Sequence, residues 1–153
     1  MKHFIAVLVC ALIGAASIHA ETAEETAIKT GQQRISQGHK KCQANPATAV
    51  NEKELHEYLE HGGTPPANLG PHELCISKSA GWQNEDGSVN KDVIESRLSA
   101  VFTDAEQRKT ITDKCLAAQA TPEATARQLF RCYRDHVHPI GGHDHTEEHE
   151  HHH

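Results

Sequence analysis

Cysteine arithmetic sets the narrowest limits on this chain. Its first twenty residues, "MKHFIAVLVCALIGAASIHA", have the layout of a secretory signal peptide: Lys2 near the start, an apolar run from Phe4 to about Ala16, and small Ala20 at a plausible cleavage point. Cleavage there removes Cys10 and leaves Cys42, Cys75, Cys115 and Cys132. An even count in an oxidising compartment favours two disulfides over metal ligands or free thiols. Disulfides also answer a shortage, since the 133 residues that remain hold only five aromatic side chains to fill a core. The expected division is a signal peptide (1–20), one helical domain (21–142) and a histidine-rich tail (143–153).

The leader's apolar run is too short to span a bilayer, and no later segment approaches the roughly 20 apolar residues a membrane helix needs. The expectation is a secreted, extracellular protein without stable membrane insertion. Net charge is −6 with histidines neutral. That balance excludes nucleic acid as a partner, because phosphate binding calls for a basic face.

Helical periodicity dominates and β alternation is missing, which predicts an all-α domain of about six short helices. The first runs over Ala23 to Gln43 with Ile28, Ile35 and Cys42 spaced by sevens, and Gly31 and Gly38 beside that stripe weaken it enough that packing must hold it. Asn51 caps the second, with Glu54 as its box partner, Leu55, Tyr58 and Leu59 on one face, and Gly62 as its stop. Pro71 suits the first position of a third helix that bears Leu74 and Cys75. Asn90 caps a fourth, with Ile94, Leu98 and Val101 in register; Thr103 to Glu106 reads as a capping box for a fifth carrying Ile111, Cys115 and Ala118. Thr121 and Pro122 open a sixth, striped by Ala126, Leu129, Phe130, Tyr133 and Val137.

Only a couple of residues around Ala120 join helices five and six, so the two form an antiparallel hairpin with Cys115 and Cys132 at matching heights. A Cys115–Cys132 bridge follows, and the remaining pair, Cys42 and Cys75, ties the end of helix one to helix three. A catalytic Cys132 needs a depressed pKa and a base; its neighbours Arg131, Arg134 and His136 suit a helix C-terminus better, so the residue reads as a staple.

The whole pattern resembles the insect odorant-binding proteins, the pheromone and general-odorant binding superfamily. The likeness rests on "TAEETAIKTG" ahead of Cys42, "CISKSAGWQNEDGSVNKD" from Cys75, and "PEATARQLFRCY" around Cys132. Most members carry six cysteines. Counting back from Cys75 and from Cys132 puts Pro71 and Glu123 where the second and fifth belong, so both halves of one disulfide are missing together, as in the four-cysteine "minus-C" subgroup. The resemblance implies helices around an internal hydrophobic cavity, a small hydrophobic ligand such as an odorant, pheromone or fatty acid, contact with a chemoreceptor, no cofactor and no catalysis.

The apolar stripes agree with a cavity, because few large rings are available to fill the space between helices. Leu55, Leu59, Leu74, Ile94, Leu98, Ile111, Phe130 and Tyr133 therefore stand as either ligand-lining residues or a solid core. Lys78, one turn after Leu74, is placed to meet a ligand carboxylate or to be an ordinary solvated lysine. Val137 and Ile140 are the candidate lid over the cavity.

The tail raises a rival function. "HDHTEEHEHHH" holds His143, His145, His149, His151, His152 and His153 among four acids. It reads either as a solvated tail, ending in the remnant of an expression tag, or as a flexible site for a divalent metal such as Zn²⁺, Cu²⁺ or Ni²⁺, which makes a secreted metal-binding protein the alternative to a ligand carrier. A pH-sensing tail is the further variant. A secreted phospholipase fits worse: "CYRDH" has the right residue types in the wrong order, and no glycine-rich calcium loop precedes it. A saposin-like module also fits poorly, because Cys42 lies too far from the mature start.

Overall fold

In a computed structural model, residues 21–137 are described, and they form six helices and no strand. The order is α1 (Ala23–Gln43), α2 (Glu52–His61), α3 (Leu69–Ser79), α4 (Lys91–Val101), α5 (Ala105–Cys115) and α6 (Pro122–His136). Local chemistry sets most of the starts. Thr22 and Glu25 form a reciprocal capping box on α1; Asn51, Asn90 and Thr121 each accept an amide bond from the first turn they open.

Two starts differ from the sequence expectation. Asp104, not Thr103, caps α5, its carboxylate accepting from the amides of Glu106 and Gln107. Those bonds hold the Asp104 carboxyl below its ordinary pKa. Helix α3 begins at Leu69, two residues before Pro71, after Asn68 in the left-handed region with no side-chain cap. Proline is still tolerated there, because first-turn amides have no helical partner to lose.

Helix α1 packs along α3 and α4, α3 packs along α6, and α5 closes against α4 and α6. Gly38 permits the closest approach: a Cβ built on it lies 3.0 Å from Ile76 Cγ2. The bridges Cys42–Cys75 and Cys115–Cys132 staple α1 to α3 and α5 to α6, with Cα–Cα separations of 5.9 and 5.8 Å. An Arg127–Glu73 ion pair of 3.1 Å adds a polar tie between α6 and α3. The core that results holds Ile28, Trp82, Leu98, Val101, Phe102, Ile111, Leu116 and Leu129.

Helix α2 stands apart. None of its residues is buried, and Leu59 is 52% exposed. Its tie to the body is polar: Glu52 Oε1 lies 3.0 Å from His39 Nε2, and His39 Nδ1 lies 2.9 Å from the fully buried His72.

Candidate functional site

Between α1, α4, α5 and α6 lies a cavity of about 100 Å³ with an almost wholly apolar wall. Ile94, Leu98 and Val101 face it from α4, Ile111 and Cys115 from α5, and Leu129, Cys132, Tyr133 and Val137 from α6. Helix α1 supplies Ala27, Ile28, Gly31 and Arg34, one stripe at spacings of one, three and three residues. Ala80 and Trp82, from the segment after α3, and Leu116, just past α5, complete the wall with Arg97.

Ile94, Leu98, Ile111, Tyr133 and Val137 thus come together at one cavity. Phe130 sits behind the wall, its ring 5.0 Å from Trp82, which also stacks 5.5 Å from Tyr133. Leu55 and Leu59 lie on α2, away from the cavity, because an amphipathic pattern states which face is apolar and not what will cover it. Leu74 and Lys78 share the face of α3 opposite His72 and Ile76, which are buried, so neither reaches the cavity. The Lys78 ammonium instead donates to the Glu85 carbonyl at 2.7 Å. Ile140 and the tail histidines His143, His145, His149, His151, His152 and His153 lie outside the described residues. Among the described residues no three metal-ligating side chains cluster.

Sequence reasoning missed Gly31, Arg34, Ala80 and Arg97. Small and charged residues carry no signal for an apolar wall. Trp82 was readable only as a lone ring beside a turn, "NEDGSVN", whose Gln83 and Val89 form an isolated bridge. Buried Gln83 locks that turn to α6, donating to the carbonyls of Gly87 and Pro122.

Two polar features interrupt the wall. The Tyr133 hydroxyl is buried with no hydrogen-bond partner among the described residues, and burial pushes its pKa up. The guanidinium of Arg97 donates to the Ala80 carbonyl at 2.6 Å. Among the described residues, no nucleophile with a base beside it and no paired carboxylates face this space.

A disulfide-stapled bundle of six helices with an apolar cavity between four of them defines a class of small helical binding protein. The chain belongs to the PBP/GOBP family, whose model matches residues 20–136. That family consists of carriers of small hydrophobic ligands and not of enzymes. The B2 and B1 proteins of Tenebrio molitor are similar to it, each 34% identical over 59 residues. That stretch is 39% of this chain and 46% and 45% of theirs, so the chain spans about half the length of the curated relatives it matches. No solved structure matches significantly. The full sequence holds five cysteines, four of them in the two bridges and Cys10 outside the described residues. No helix among the described residues is long and apolar enough to cross a membrane.

Proposed function

We propose that this protein is a secreted carrier that takes one small apolar molecule into the cavity between α1, α4, α5 and α6, after removal of residues 1–20. The observation that carries the reading is a partly open cavity walled mainly by aliphatic and aromatic side chains, with Tyr133 supplying one polar group unpartnered among the described residues. Burying apolar surface there stabilises a complex by about 25 cal/mol per Å², before ordering costs are subtracted, and needs no catalytic group. A cavity of about 100 Å³ favours short-chain guests; sites for drug-sized molecules run to roughly 300–1,000 Å³.

Trp82 lines the cavity and is the sole tryptophan, so its fluorescence is a direct reporter. Titration with octan-1-ol or methyl octanoate is expected to change it saturably, and Gly31→Phe, which drives a ring into the space, is expected to abolish the change. A Cβ on Gly31 meets nothing within 4 Å, so the new side chain starts into open space, and far-UV circular dichroism checks that the variant is folded. Absence of saturable binding by the refolded, doubly bridged protein overturns the carrier reading.

A further inference from the structure

Among the described residues, Arg34 on α1 and Arg97 on α4 are the two charged side chains that line the cavity. Neither has an acid three or four residues away on its helix, and neither makes an ion pair among the described residues. Other basic residues are provided for: Lys29 meets Glu21, Lys109 meets Asp113, Arg127 meets Glu73, and Arg108 donates to the carbonyls of Phe102 and Thr103.

Arg97 is half-buried, and only its Nη1 is used, on the Ala80 carbonyl. Burial first, then the charge of Arg34, lowers its pKa from the ordinary arginine value. The two cations thus line one apolar space from packed helices α1 and α4, in a chain whose net charge is −6. Capping Ala80 accounts for Arg97 but leaves Arg34 unexplained.

We infer that the Arg34–Arg97 pair receives the carboxylate of an amphipathic guest, a short-chain monocarboxylic acid whose hydrocarbon fills the cavity. A carboxylate is a small organic anion that matches the planar guanidinium fork, and it neutralises the repulsion between the two arginines as it binds. This deepens the carrier reading and rests on it. It also moves the expected cationic anchor from Lys78, which is occupied by the Glu85 carbonyl, to the opposite side of the helical layer formed by α3.

The test compares octanoate, octan-1-ol and methyl octanoate at neutral pH by calorimetry and Trp82 fluorescence. Octanoate is expected to bind roughly three- to tenfold tighter than the alcohol, with the margin shrinking as salt is raised. Arg34→Gln, an exposed position without a hydrogen bond of its own, is expected to cut the ratio of octanoate to alcohol affinity, and Arg34→Gln with Arg97→Gln to bring that ratio to one. Equal or weaker binding of octanoate by the unaltered protein overturns the inference and leaves the carrier reading standing, as does a margin that survives the double change. Binding by none of the three overturns the carrier reading, and this inference falls with it.

Discussion

His39 Nδ1 lies 2.9 Å from His72 Nε2, and the proton between them belongs to His39. His72 is 1% exposed, and its Nδ1 faces the Thr48 carbonyl at 2.7 Å, a group that only accepts. Neutral His72 therefore spends its single N–H on Thr48 and accepts from His39. The far nitrogen of His39 meets Glu52 at the start of α2. Each histidine sits one turn before a bridged cysteine, so the contact stacks beside Cys42–Cys75 on the same pair of helices.

Acid should loosen this corner. Burial holds His72 below the ordinary histidine pKa, against the smaller opposing effect of its hydrogen bond to the Thr48 carbonyl. The native state thus binds fewer protons than the unfolded chain, so the contribution is fully present above about pH 6.5 and is lost as pH falls below it. Urea midpoints are expected to drop between neutral and mildly acidic pH, and His72→Gln to flatten that slope while costing about 1–3 kcal/mol at neutral pH. An unchanged slope in the variant would sink the assignment.

Gly31 and Gly38 should respond oppositely to added carbon. Gly31→Ala gains about 0.5–1 kcal/mol of helix stability, since the new Cβ enters open space. Gly38→Val forces Ile76 and Ser79 away, a cost of about 1–3 kcal/mol. Chemical denaturation of the two variants side by side checks the sign of each.

The two bridges are expected to separate by function. By loop-closure entropy, removing Cys42–Cys75 costs about 4 kcal/mol and removing Cys115–Cys132 about 3 kcal/mol. Cys115 and Cys132 line the cavity, so their paired change to alanine should also weaken ligand binding severalfold. The Cys42 and Cys75 pair should lose stability with affinity nearly intact below the unfolding transition. Melting curves alongside Trp82 titrations distinguish the outcomes.

A third bridge between α3 and α6 can be installed at Gly70 and Glu123. A Cβ on Gly70 falls 3.4 Å from Glu123 Cβ, close to the roughly 3.5–4.5 Å of a natural disulfide, while Pro71 is exposed. Gly70→Cys with Glu123→Cys is expected to oxidise spontaneously, counted as two fewer free thiols by mass. If the missing link between α3 and α6 leaves the wall deformable, the bridged protein accepts a narrower set of chain lengths.

Much of the scaffold was legible because its signals are local. Asn51, Asn90 and Thr121 cap by reaching their own first turn, and Cys115 does meet Cys132, although α5 stops at Cys115, so Ala118 is not helical and residues 116–121, rather than a couple around Ala120, make the connection. The candidate site was only half legible. Leu55 and Leu59 carry the same amphipathic signature as Ile94 and Leu98, yet α4 is covered by α1 and α5 while α2 joins the body through the polar His39–Glu52 contact, leaving Leu55 half-buried and Leu59 exposed.

The amino-acid sequence alone determined the helical class and most helix starts, because these depend on residues within a turn of each other, and the cysteine partners, because pairing Cys115 with Cys132 leaves Cys42 and Cys75 to each other. Tertiary structure decided which stripes enclose a space and which face solvent, why Gly38 is filled by Ile76 while Gly31 is left open, and that Arg34 and Arg97 converge from separate helices. Those outcomes depend on which surfaces remain uncovered once all the helices have docked, a property no single segment contains.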